Sequence, residues 1–142
     1  MNDGFRGWCV GICLAIALAT AGAVSAAAEP AADRGVGPIK EVKVGALDSA
    51  LAKQGAQVFE QKCSACHKLD ERYVGPPLKG VTQKQAPEWV MNMILNPQGM
   101  TAENATAQQL LGEFMVQMTF QNVSETDARA ILEFLRQSDG AK

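Results

Sequence analysis

The feature that most constrains this 142-residue chain is a run of five residues, Cys-Ser-Ala-Cys-His, at positions 63–67. Thiols three residues apart on a helix lie about one turn apart on the same side, where both can add to the two vinyl groups of one porphyrin. The adjoining histidine can reach the porphyrin iron. The pattern is that of covalent c-type haem attachment, with thioether bonds at Cys63 and Cys66 and an axial iron ligand at His67.

Two other kinds of site also use a Cys-x-x-Cys pair. A structural zinc site needs four Cys or His ligands. His67 is the only histidine, however, and the two further cysteines, Cys9 and Cys13, lie in an apolar N-terminal segment. A thioredoxin-like redox pair needs alternating strand and helix patterns, and the sequence contains no convincing strand. Haem attachment is therefore favoured, with a zinc site or a redox dithiol as the alternatives.

Residues 1–28 are predicted to be a secretory signal peptide. Gly7–Ala28 carries no charge, Trp8–Ala19 is apolar, and small residues at 24–26 and 26–28 offer cleavage sites. An uncleaved membrane anchor is the alternative, because 22 uncharged residues are long enough to span a bilayer. Either interpretation places the haem domain outside the cytoplasmic membrane, in the periplasm.

Residues 29–44 are predicted to be a flexible linker. They are rich in Ala, Pro and Gly, carry scattered charges and show no hydrophobic period. The folded domain is therefore expected at residues 45–142. No internal repeat is evident in it.

Hydrophobic periodicity and capping residues predict four helices in this domain. The first starts at the N-cap Asp48 and runs to about residue 67, and the last starts at the N-cap Ser124. A middle helix starts at Pro87 and ends before residues 96–97, and a short helix follows at about 106–115.

The first and last helices are expected to cross. Gly55 lies within the apolar stripe of the first helix, four residues before Phe59. A glycine inside a helix costs about 1 kcal/mol relative to alanine, but it allows a second helix to approach closely. We expect this pair to meet Ile131, Phe134 or Leu135 of the last helix.

A stiff loop separates the haem motif from the middle helix. Residues 73–80 contain two adjacent prolines and two glycines. Metal-bound histidines usually donate their second ring N–H to a carbonyl, which orients the ring. A proline-rich loop that passes close to His67 would offer such a carbonyl.

Taken together, these motifs resemble a class I monohaem cytochrome c of the small bacterial type. The resemblance covers Asp48–Gln137, and its motifs are Gly55-x-x-x-Phe59-x-x-x-Cys63-x-x-Cys66-His67, then Gly75-Pro76-x-Leu78-x-Gly80, then a methionine before a capped final helix. It implies an all-α cytochrome c fold in which the helices surround one covalently attached haem. It also implies that the Pro76 carbonyl orients His67, and that Phe134 packs on the first helix.

The second axial ligand is expected to be a methionine. No second histidine exists, and a thioether ligand raises the reduction potential. The methionines beyond residue 28 are Met91, Met93, Met100, Met115 and Met118. The first two lie on the middle helix, where methionine usually fills the core.

The resemblance selects Met118, because the family's ligand lies about six residues before the capping serine, here Ser124. Met115 and Met100 remain the alternatives. The family usually has a proline after the ligand, whereas this chain has Thr119.

Charge is distributed unevenly along the domain. Residues 34–84 contain nine basic and five acidic residues, a net +4, and residues 85–142 contain three basic and seven acidic residues, a net −4. The basic side carries Lys53, Lys62, Lys68, Lys79 and Lys84. These lysines either steer a charged partner or form an ordinary solvated face. The overall charge of −2 gives no support to nucleic-acid binding.

An iron ligated by both His67 and Met118 has no vacant position for a substrate. In addition, no second cluster of acid–base residues appears in the sequence. The chain is therefore predicted to be a one-electron carrier and not an enzyme. The resemblance implies transient docking to donor and acceptor oxidoreductases of a periplasmic respiratory chain. Two alternatives remain. One is a haem with a labile or absent methionine ligand that acts in peroxide reduction or gas sensing, and the other is a fixed relay subunit of a larger oxidoreductase.

Overall fold

The structure, a computed structural model, describes residues 32–142, so the predicted signal peptide or anchor lies outside the described residues. Within this range the regular secondary structure consists of α-helices without a strand, and the all-α prediction is confirmed. Six helices follow one another: α1 (Ser49–Lys62), α2 (Val81–Lys84), α3 (Pro87–Leu95), α4 (Pro97–Glu103), α5 (Ala105–Phe114) and α6 (Glu125–Ser138).

The first and last helices, α1 and α6, pack against each other as expected. A Cβ atom built on Gly55 would overlap the carbonyl oxygen of Ala130, so the two backbones are in direct contact there. One turn further along, the rings of Phe59 and Phe134 lie 5.2 Å apart in a tilted arrangement. The crossing therefore depends on a residue without a side chain at the point of closest approach.

Both of these helices begin at predicted side-chain caps. Asp48 accepts a hydrogen bond from the backbone N–H of Leu51, and Ser124 accepts one from the N–H of Asp127. Each cap satisfies one of the N–H groups that the first turn of a helix leaves free. The start of α1 and of α6 is thus determined by local sequence.

The first helix is shorter than predicted. It ends at Lys62 and not near residue 67, with Cys63 as its C-cap. The haem motif therefore lies on a turn that follows the helix. Hydrogen bonds from the N–H groups of Cys66 and His67 to the Cys63 carbonyl close this turn, with N···O distances of 3.0 and 2.9 Å.

The middle of the chain has two helices that the sequence analysis missed, α2 and α4. Helix α3 has the predicted bounds and α5 lies within a residue of them. Asn96 ends α3 and also caps α4, where its side chain accepts a bond from Gly99 N–H. Asn104 does the same between α4 and α5, where it accepts a bond from Ala107 N–H. The Asn-Pro pair at 96–97 thus ends one helix and starts the next.

The prediction of a flexible linker is wrong for residues 32–44, which pack against α3. The side chain of Ile39 is only 6% exposed. The buried amide of Asn92 accepts a bond from Ile39 N–H and donates to the carbonyls of Ile39 and Arg34, each at 2.9 Å. Glu88 accepts a bond from Val42 N–H at 2.8 Å. Side chains of α3 satisfy part of the backbone of this segment, so it is packed in place without forming a helix or strand of its own.

Helix α6 holds the end of the same segment through a buried charge cluster. Glu133 is fully buried, and its carboxylate lies 2.6 Å from an Arg129 nitrogen and 2.7 Å from an Arg136 nitrogen. The two guanidinium groups also donate to the carbonyls of Lys43 and Gly45. A buried carboxylate needs such partners, because an unpaired one would carry a large desolvation cost.

No helix within residues 32–142 combines the length and the apolar character that a membrane crossing requires.

The helix crossing gives a first prediction. Gly55→Ala should lower the free energy of unfolding by about 2 kcal/mol, because the new methyl group overlaps backbone that can move only if the helices separate. The matched control is Gly112→Ala in α5, where a Cβ meets nothing within 4 Å. That change should raise stability by up to about 1 kcal/mol through helix propensity alone. Denaturant unfolding followed by circular dichroism measures both, and equal shifts would contradict the close approach.

The packing of residues 32–44 gives a second prediction. Asn92→Ala should cost about 2–4 kcal/mol, because it leaves a buried N–H and a buried C=O of Ile39 without partners. Trypsin should then cut faster after Lys40 and Lys43. Gln98→Ala, which removes an exposed amide from α4, should leave the cleavage rate unchanged. An unchanged rate in the Asn92 variant would show that the segment is held by other contacts.

Candidate haem site

The two thiols of the motif differ in exposure. Cys63 is partly buried at the end of α1, and Cys66 is exposed three residues later on the turn. Burial, with a smaller contribution from the charge of Cys66, raises the pKa of Cys63 to about 11. Reactive dithiols of redox enzymes have lowered thiol pKa values instead. The environment of Cys63 is therefore unlike that of a thioredoxin-type nucleophile.

The surroundings of these thiols do not supply a metal-binding cluster either. No group of three or more His, Cys, Asp and Glu side chains within residues 32–142 is arranged to hold a metal ion. A structural zinc site would need four protein ligands. Neither alternative to haem attachment gains support from the geometry.

His67 is held by the loop that follows it. Its Nδ1 atom lies 3.1 Å from the carbonyl oxygen of Pro76, the contact that the family resemblance implies. A carbonyl oxygen can only accept, so Nδ1 carries the proton and Nε2 is left with a free lone pair. Nε2 makes no hydrogen bond to any of the described residues. The ring thus offers one nitrogen to a metal while the other is fixed by the protein.

The protonation state of His67 suits the same role. Burial lowers the pKa of the imidazole, and the bond to the Pro76 carbonyl offsets part of this shift. A lowered pKa keeps the ring neutral at neutral pH, and neutral imidazole is the form that binds metals.

The proline loop lies directly against the histidine ring. A Cβ atom on Gly75 would come within 2.5 Å of Cε1 of His67. The loop also runs back along the chain that follows the motif, since Gly75 N–H donates to the Cys66 carbonyl and Leu78 N–H to that of Lys68. A side chain at position 75 would therefore collide with the His67 ring unless the loop or the ring moved.

The far end of the loop is attached to α6 by Asp139. Its carboxylate accepts bonds from the N–H of Gly80 and from both the N–H and the hydroxyl of Thr82, the last two at 2.9 and 2.6 Å. Sequence reasoning did not find this residue. The sequence does carry one signal for it. An acidic side chain just after the C-terminus of a helix interacts unfavourably with the helix dipole, which suggests that Asp139 has a different stabilising partner.

The five candidate methionines occupy different environments. Met100 is 0% exposed, and its sulfur accepts a hydrogen bond from Val36 N–H at 3.0 Å. Met91 is buried in α3, as expected, and Met93 is only partly buried. Met115 is the C-cap of α5, has a left-handed backbone conformation and is 82% exposed. Met118 is half-buried in the irregular segment that connects α5 to α6.

Apart from Val44, the large apolar side chains that are exposed within residues 32–142 lie in two segments, one that follows His67 and one around Met118. Tyr73 and Val74 belong to the proline loop, and Met115, Val116 and Phe120 follow α5. Exposed apolar surface of this kind usually marks a binding site. A porphyrin attached at the two thiols would cover such side chains, so the residues present fit the group that the motif predicts.

Arg72 joins the proline loop to the end of α5. Its guanidinium donates to the carbonyl of Glu113 at 3.1 Å, lies 3.4 Å from the Glu113 carboxylate and stacks 4.1 Å from the centre of the Phe114 ring. These contacts bring the segment after His67 next to the segment that leads to Met118. The sequence analysis missed this bridge, which spans 41 residues of chain.

A depression of about 530 Å³ also opens beside His67, between Phe59, Phe134 and residues 68–71. Neither attachment cysteine and none of the methionines lines it. The depression therefore touches the candidate haem site only through His67.

Comparison with known proteins assigns the family. The family model described as cytochrome c matches residues 52–139, which include the haem motif, the proline loop and all of α6. The chain belongs to the cytochrome c family. Its members are haem-based electron-transfer proteins that work with redox partner proteins, and the chain accordingly carries a covalently bound c-type haem with its iron.

Individual cytochromes c agree with this assignment. The chain is 48% identical over 42 residues to cytochrome c-551 of Stutzerimonas stutzeri, a match that covers 29% of this chain and 40% of that relative. The solved structure of a cytochrome c from Rhodothermus marinus is 48% identical, with a TM-score of 0.71 over 72% of this chain and 90% of that one. An engineered form of the Rhodothermus protein, Rma TDE, is 47% identical, with TM-scores of 0.71 alone and 0.68 when bound to a carbene intermediate.

The contact between Gly75 and His67 gives a third prediction. Gly75→Ala should push the loop away from the ring and lengthen the bond from Nδ1 to the Pro76 carbonyl. That bond makes the histidine a stronger electron donor. Its loss should destabilise the ferric state and raise the reduction potential, which redox titration of the holoprotein measures. The control is Gly45→Ala, where a Cβ meets nothing within 4 Å. A potential that moves equally in both variants, or not at all, would contradict the role of Gly75.

Proposed function

We propose that this protein is a one-electron carrier in which Cys63 and Cys66 hold the haem and His67 and Met118 ligate the iron. The observation that carries this proposal is the hydrogen bond between His67 Nδ1 and the Pro76 carbonyl. It leaves Nε2 of a residue adjacent in sequence to Cys66 available to a metal. A ring oriented in this way needs little rearrangement when the charge on the metal changes.

The choice of Met118 is supported by what the other methionines do. Met100 is fully buried and its sulfur is already engaged, so it would have to leave the core to reach a haem. Met91 is buried within a helix. Met118 lies in an irregular segment, is half-buried, and precedes the capping Ser124 by six residues, which is the family spacing.

Met115 is the competing candidate. It lies only three residues away from Met118, but as the C-cap of α5 its backbone is tied to Leu111, and its side chain points into solvent. Met118, by contrast, lies outside any helix.

The arrangement of the protein's own residues suits an electron carrier better than a catalyst. When bound, the haem supplies a redox couple of one electron. Pro76 orients His67, and Asp139 fixes the loop that carries Pro76 to the rigid α6. His67 and Met118 would together hold the iron, and with both bound it would offer no ligand position to a substrate.

We also propose where the protein works and how it meets its partners. Export by a cleaved signal peptide at 1–28 would place it in the periplasm, in a respiratory chain between donor and acceptor oxidoreductases. Lys62 and Lys68 flank the attachment cysteines and give that side a basic character suited to steering. The exposed Lys79 contributes less, because it is paired with Asp70 at 2.8 Å.

The ligand assignment is tested by substitution. Met118→Ala should abolish the weak long-wavelength absorption band that an iron–thioether bond gives in the oxidised protein, and the ferrous protein should then bind CO readily. Met115→Ala should leave the band in place. A band that survives in the Met118 variant and disappears in the Met115 variant would transfer the role to Met115. A native protein that is high-spin and binds CO at neutral pH would overturn the electron-carrier proposal.

A further inference from the structure

The segment that carries Met118 has very few hydrogen bonds. Residues 116–123 make no backbone-to-backbone hydrogen bond to the rest of the described chain. Thr119 follows Met118 where the family usually has a proline, so the backbone angle φ after the methionine is not restricted by a ring. At its far end the segment is held by Val123, which is buried in the core.

Within residues 32–142, a single side-chain contact ties this segment to another helix by hydrogen bonding. The hydroxyl of Thr101, in α4, lies 3.0 Å from Oε1 of Gln117. The amide nitrogen of the same Gln117 donates to the carbonyl oxygen of Met118, also at 3.0 Å. The remaining side-chain bonds of the segment, from Gln121 to Thr119, are internal to it.

We propose that Gln117 is a positioning residue for Met118, and that Thr101 is the anchor through which α4 holds it. This inference rests on the proposed role of Met118 as the second axial ligand. The amide of Gln117 bridges a nearly buried hydroxyl on a rigid helix and the peptide of the methionine itself. It thereby restrains the segment in the way that a proline ring after Met118 would restrain it.

The anchor is suited to this task because of where it lies. Thr101 is buried in α4, next to the fully buried Met100, so its position is set by the core. Its hydroxyl has one proton and three acceptors within 3.1 Å, namely the carbonyls of Pro97 and Gln98 and the amide oxygen of Gln117. If Gln117 is removed, the hydroxyl returns to the helix carbonyls and remains satisfied. The anchor therefore keeps its own structure when the tether is lost.

The test measures how easily an added ligand displaces Met118 from the oxidised holoprotein. In Gln117→Ala, imidazole should bind about fivefold more tightly, the factor that corresponds to the loss of one hydrogen bond worth about 1 kcal/mol. Thr101→Val should shift the affinity in the same direction, whereas Thr101→Ser, which keeps the hydroxyl, should retain the native affinity. A double variant that combines Gln117→Ala with Thr101→Val should have the same imidazole affinity as Gln117→Ala alone, because Thr101 acts through Gln117.

The matched control is Gln83→Ala, which removes a glutamine side chain from α2 that bonds the Asp139 carbonyl, away from the Met118 segment. It should leave imidazole affinity at the native value even if thermal stability falls. Equal affinities in the Gln117 and Gln83 variants, or additive effects in the double variant, would overturn the positioning role. If the native protein lacks the thioether band, the proposal that Met118 is a ligand fails. That outcome is distinct from a failure of the proposed role of Gln117.

Discussion

The close approach of α1 and α6 at Gly55 determines where both sides of the proximal haem site lie. Helix α1 delivers Cys63 at its end, and the turn that follows delivers Cys66 and His67. Asp139, the C-cap of α6, holds the proline loop whose carbonyl orients the histidine. Because the helix backbones touch at Gly55, the two helix ends are kept in register with each other. The bond between His67 and Pro76 therefore depends on packing more than ten residues away.

A different kind of interaction organises helices α3, α4 and α5 and the irregular segments beside them. Side-chain amides take the place of regular backbone pairing there. Asn96 and Asn104 each end one helix and cap the next, and Asn92 satisfies the irregular chain around Ile39. Gln117 continues the same pattern between α4 and the Met118 segment. A short polar side chain that both donates and accepts can connect elements that have no shared ladder of hydrogen bonds.

Sequence and structure agree where the determining forces are local. The caps at Asp48 and Ser124 and the start of α3 at Pro87 all followed from patterns within a few residues. They disagree where one side chain satisfies a distant backbone. Residues 32–44 have the composition of a linker, yet Asn92, 53 residues beyond Ile39, orders them. Helix α4 was missed because the Asn-Pro pair was interpreted only as the end of a helix, although the same residues also begin one.

The amino-acid sequence alone determined the chemistry of the cofactor, because two thiols and a histidine within five residues need no folding partner to be recognised as a haem attachment motif. It also determined the helical class and the family, since both depend on short-range spacing. Only the tertiary structure decided that Met100 belongs to the core, that Asp139 supports the proline loop, and that Thr101 and Gln117 reach the segment of Met118. Each of these rests on hydrogen bonds between residues far apart in the chain, and such contacts leave no periodic signal in a sequence.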